Sequence, residues 1–161
     1  MPSSSQARQI FDWLDNDHTE LQNAVVLIEG GGLAPMIQAG HTMGMSFTAN
    51  AAFISAGARF PTYGVRGAAF TMTLYKGLPG DAASVKIAEK QFSNWGDGEV
   101  AHIDVAKQAP GVYYLEVSNV TGTLAWWSSM TVSPGALAYS DGVPASDAKS
   151  RFAVALGDYF E

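Results

Sequence analysis

The chain has 161 residues, 47% hydrophobic and only 15% charged, with no cysteine and a formal net charge of −6. That length suits one domain with a sizeable core. The lack of cysteine excludes disulfides, thiolate zinc sites and cysteine nucleophiles. Without any Lys/Arg cluster, the acidic balance argues against nucleic acid and anionic membrane as partners and leaves a neutral glycan or a cation as the better fit.

Taken in chain order, Ser5 to Leu14 is the one helix candidate. Ile10, Trp13 and Leu14 stand at i, i+3 and i+4 behind capping serines. Asp15 to Glu20 ends it, so residues 1–20 read as a linker with a helix and 21–161 as the folded body. From there the pattern is strand-like: Ala24–Glu29, Met43–Ala49, Ala52–Phe60, Ala68–Lys76, Val85–Phe92, Val100–Val105, Val112–Ser118, Thr123–Ser128, Ala136–Tyr139 and Phe152–Leu156. Pro79-Gly80, Asp97-Gly98, Pro110-Gly111 and Asp141-Gly142 punctuate them. About ten short strands at this spacing predict an all-β antiparallel sandwich. The longer connections favour a jelly roll.

The N-terminus, M-P-S-S-S-Q-A-R-Q, has no apolar signal segment, and the longest apolar run, Ala24–Ile28, is too short to span a bilayer. Either a cytosolic protein or a piece of a larger exported chain fits. The lack of a catalytic motif favours the exported piece, placed outside the cell or at its surface.

Aromatic residues supply the candidate site. Pro110 to Ser129 reads as two strands joined by a polar turn, the second carrying Trp126 and Trp127. Successive strand side chains point to opposite faces, so one indole enters the core and the other looks outward or fills a lid. On the first strand Tyr113, Leu115 and Val117 share the core face, while Tyr114, Glu116 and Ser118 share the other. Trp95 stands among Asn94, Gly96, Asp97 and Gly98 and is expected on a turn, either stacking on a ligand or plugging the loop. Arg59 precedes the aromatic turn Phe60–Gly64 with Tyr63; it would read vicinal hydroxyls or hold the loop.

Other chemistries lack their signatures. His18, His41 and His102 have no zinc spacing. The segment starting Asp15-Asn16-Asp17 fails the calcium-loop pattern at Glu20 and Val26. Gly30-Gly31-Gly32 lacks the residues of a phosphate loop, since Pro35 stands where the third glycine belongs. No G-x-S-x-G occurs. Asn119-Val120-Thr121 is a glycosylation sequon, placed at the turn of the expected hairpin.

The runs G-M-S-F-T-A (44–49), A-R-F-P-T-Y-G (58–64), F-T-M-T-L-Y-K-G (70–77), P-G-V-Y-Y-L-E-V-S-N (110–119) and G-T-L-A-W-W-S (122–128) resemble the galactose-binding-like β-jelly-roll domains appended to bacterial polysaccharide-degrading enzymes. The resemblance implies a non-catalytic carbohydrate-binding module attached to a catalytic domain. It requires no cofactor but leaves room for a structural calcium, whose ligands it does not name. Its sugar-site candidates here are Trp95, Asp97, Asn94, Tyr63, Arg59, Trp126 and Trp127. The alternatives are a structural sandwich packing on a neighbouring catalytic domain, or a small glycan-active enzyme. The enzyme would need two carboxylates facing each other across a groove, and the obvious acids sit on turns.

Overall fold

The structure is a computed structural model that describes residues 24–28 and 32–157. The expected helix at Ser5–Leu14 lies outside the described residues. Among the described residues twelve strands form, all paired antiparallel: β1 Ala24–Ile28, β2 Met43–Ala49, β3 Phe53–Phe60, β4 Ala68–Lys76, β5 Val85–Trp95, β6 Glu99–Gln108, β7 Gly111–Thr121, β8 Ser128–Ser129, β9 Leu137–Ser140, β10 Val143–Pro144, β11 Ser150–Arg151 and β12 Ala153–Leu156. One sheet runs β1-β12-β3-β6, the other β10-β9-β2-β7-β4-β5, and β11 pairs with β8. No helix occurs among the described residues.

The period-two pattern explains the sandwich. On β7, Tyr113, Leu115 and Val117 point inward, as do Met45 and Phe47 of β2 and Phe70, Met72 and Leu74 of β4. Phe53, Ala56, Ala58 and Phe60 of β3 belong to the same core from the other sheet. Facing apolar faces bury one core between the layers.

Arg151 is the exception within this apolar interior. It is 0% exposed. Its Nε donates to the Gly44 carbonyl at 3.2 Å, Nη1 to Ser128 Oγ at 2.9 Å, and Nη2 to the Tyr139 carbonyl at 2.9 Å and Ser140 Oγ at 3.3 Å. Asp147 lies 3.7 Å from Nη2, and the guanidinium lies 5.9 Å from the Trp126 ring centre. One side chain thus ties β2, β9 and the chain around β8 together, which satisfies a charge that would otherwise be too costly to bury.

Three sequence expectations are corrected. β5 runs three residues beyond Phe92, so Trp95 closes a strand instead of riding a turn. β7 runs to Thr121, which puts Asn119 on the strand. The expected hairpin does not form: the chain from Leu124 to Ser128 lies against residues 33–37. It does so through Ile37 N–H to Leu124 O, Trp126 N–H to Pro35 O and Ser128 N–H to Leu33 O. Only Ser128–Ser129 is strand, because the partner for this segment comes from a loop distant in sequence.

Candidate functional site

The predicted residues divide between core and loop. Trp126 is 0% exposed, donates its indole N–H to the Phe152 carbonyl at 2.8 Å and packs edge-on against Phe60. Trp127 is half-buried and belongs to no buried core cluster among the described residues. The one-in, one-out expectation therefore holds although the segment is not a regular strand.

Trp95 is in the core at 7% exposure. It packs edge-on against Phe60, Phe70 and Phe92, and its indole N–H donates to the Phe60 carbonyl at 3.1 Å. Of the two alternatives stated for each, Trp95 takes the plug, packed against three aromatics, and Trp126 is the core member of its pair, packed against Phe60.

Asp97, Tyr63, Asn94 and Arg59 gather near one end of the sandwich, where the β5–β6 turn meets the loop after β3. Asp97 Oδ1 accepts the Thr62 N–H at 2.6 Å, and the Tyr63 hydroxyl donates to the Ala34 carbonyl. Asn94 has a φ of 51°, next to the irregular register between β4 and β5. The Arg59 guanidinium lies 6.0 Å from the Phe152 ring centre. The polar groups of Asp97 and Tyr63 hold turns together. The Tyr63 ring, 60% exposed, keeps a free face.

A second surface is built from strands alone, on the face of the larger sheet that points away from the core. Cross-strand register places Glu89, Thr73, Glu116, Gly44 and Tyr139 in one row, and Lys86, Tyr75, Tyr114, Ser46 and Leu137 in the next. Tyr75 and Glu116 are half-buried, with the short buried Thr73 beside them. Thr73 Oγ1 donates to Glu89 at 3.4 Å, and Asn119 Nδ2 donates to Thr71 Oγ1 at 3.5 Å.

The electrostatics of this face centre on Glu116. Burial alone raises its carboxyl pKa above the usual range, and no hydrogen bond or ion pair joins it to another described residue. Burial raises the Tyr75 phenol, with Glu116 and Glu89 adding to the shift. Burial raises Tyr114 further, with Glu116 adding and Arg151 opposing. The Tyr114 hydroxyl is buried without a hydrogen-bond partner. Glu116 and Glu89 are thus strand acids on one face, two strands and about 10 Å of backbone apart. Sequence alternation had set Tyr114 and Glu116 on this face. What it missed was Tyr75, Glu89 and Thr73, since only strand order brings β4 and β5 beside β7.

Two other polar groupings do less. Ser55 donates to Asp104 at 3.0 Å while His102 Nδ1 also meets Asp104, at 3.2 Å. The carboxylate stands between hydroxyl and imidazole, which is the wrong order for a histidine to activate a serine. Among the described residues no three His, Asp or Glu side chains converge to hold a metal. No helix of the described residues is long and apolar enough to cross a membrane. No protein-family model and no curated protein matches the chain.

Proposed function

We propose that this chain is a non-catalytic carbohydrate-binding sandwich of the jelly-roll type, and that its sugar site is the outer face of the larger sheet around Tyr75 and Glu116. One observation carries the reading: a half-buried carboxylate with no partner among the described residues beside a half-buried aromatic ring, both on strands. An aromatic face packs on the C–H side of a sugar ring, and carboxylate, threonine and amide groups bond its hydroxyls. Affinity on the order of 1 mM to 1 μM suits such a shallow site. Attached to a catalytic domain of an exported enzyme, the module would raise that enzyme's local concentration on its polysaccharide.

The test is a polysaccharide pull-down and glycan screen on the intact chain, with and without calcium, repeated on Tyr75→Ala, Glu116→Ala and Tyr63→Ala. Loss of binding in the first two and retention in the third is the expected pattern. The reverse pattern would move the site to the loop end. Release of reducing sugar would make the chain an enzyme.

A second reading has its own observation. Leu27, Met130 and Val132 are exposed, and Leu27 and Val132 border a shallow groove shared with Pro134. Apolar exposure of this kind suits packing on a neighbouring domain. That reading gains if every glycan fails to bind and Val132→Asp abolishes association with the parent protein's catalytic domain.

A further inference from the structure

We propose that the Glu116–Tyr75 surface takes its glycan through a protonated amine, so that its ligand class is a polysaccharide of amino sugars that are not acetylated. The inference rests on the carbohydrate reading above and narrows it.

The charge balance of the face comes first. A neutral hydroxyl brought to Glu116 donates one hydrogen bond and leaves the carboxylate's charge in a partly desolvated site. An ammonium donates three and neutralises that charge. Glu89 stands on the same face across Thr73. The basic residue in the neighbouring row, Lys86, is exposed and reaches Glu89 loosely at 3.5 Å. Glu116 therefore keeps its charge for an incoming cation.

The rings add a second attraction. A cation within about 6 Å of a tyrosine ring centre is drawn to its face, and Tyr75 lies directly beside the Glu116–Thr73 pair in the sheet. The Tyr114 ring backs Tyr75 at 6.2 Å between centres and meets Tyr139 edge-on at 5.2 Å. Tyr75 and Tyr114 therefore stand in the row beside the carboxylates, and Tyr139 ends the carboxylate row itself. Tyr114 is 2% exposed, and its unpartnered hydroxyl lies over Gly44, the residue directly opposite Glu116. That oxygen is buried, so it backs the row without reaching a ligand. The net charge of −6 adds a field that favours cationic ligands over anionic ones. N-acetylation would remove both the charge and two donor protons.

The experiment is calorimetric titration of the intact chain with hexasaccharides of glucosamine, N-acetylglucosamine and glucose that share one linkage. The glucosamine hexamer should bind at least about tenfold tighter than either of the others, the scale of one charge-assisted contact. In E116Q, checked for an intact fold by its thermal melt, that preference should vanish. Tyr75→Leu, which keeps bulk but loses the ring face, should weaken the glucosamine hexamer as well. Equal binding of the glucosamine and glucose hexamers overturns the amine proposal and leaves the carbohydrate reading standing. So does a preference that survives E116Q. Displacement by spermidine at equal charge concentration overturns it in favour of general cation attraction. Binding of none of the three overturns the amine proposal, and the wider glycan screen then decides the carbohydrate reading.

Discussion

The phenol of Tyr114 occupies the space that a side chain at Gly44 would fill: a Cβ built on Gly44 overlaps the Tyr114 ring and hydroxyl. The two residues are diagonal neighbours on β7 and β2, since Tyr114 stands opposite Ser46 and Gly44 opposite Glu116. Glycine here is a packing requirement of the sheet face, with no special backbone angle involved.

Gly44→Ala should therefore push Tyr114 out of its place and destabilise the protein by about 1–3 kcal/mol, the usual cost of overpacking. Urea denaturation checks this. In the Gly44→Ala, Tyr114→Ala double variant the alanine methyl has room, so the two effects should fall well short of adding. Simple additivity would show that the overlap is relieved without cost.

Trp95→Ala removes a ring packed against three other aromatics and leaves the Phe60 carbonyl with the Gly98 N–H as donor in place of two. A loss of about 3–5 kcal/mol is expected. Glycan binding by the folded fraction should persist. An unchanged melting temperature with abolished binding would return this indole to the ligand site.

Arg151→Met leaves two carbonyls and two serine hydroxyls without their buried donor. The expected cost is about 3–5 kcal/mol. Arg151→Lys should recover little, because a single ammonium cannot reproduce a planar fork that reaches β2, β9 and the Ser128 hydroxyl of β8. A lysine variant as stable as the parent would show that charge alone suffices.

Glu116 gives a pH dependence whose sign follows from its raised pKa. The folded state holds this proton at a pH where the unfolded chain has released it. The contribution to stability is therefore fully present below the unfolded pKa and is lost as pH rises through the folded one. Glu116→Gln should melt higher than the parent at pH 7, and the gap should close as pH falls through the carboxylate range. A variant that melts lower at pH 7 would mean that the carboxylate has a stabilising partner.

Much of the fold was legible in the chain. Alternation on β2, β4 and β7 marks one apolar face each, and Gly/Pro/Asp turns separate them, so the all-β antiparallel layout follows from local pattern. The site was legible only in part. Tyr114 and Glu116 could be set on the face away from the core, because strand period is local. Trp95 stayed ambiguous, because a large aromatic beside Gly and Asp reads as a loop residue whether its ring turns out or in.

The sequence by itself determined the strands, their inward faces and the acidic, cysteine-free surface, all of which depend on residues a few positions apart. Only the tertiary structure decided that Trp95 closes a strand and turns inward, that residues 124–128 pair with 33–37, and that Glu89, Thr73 and Glu116 form one row. These depend on which strands lie side by side, which is set by how the whole core packs. Arg151 shows the same limit: its partners come from four separate stretches of chain, and no local pattern announces an arginine that the fold encloses.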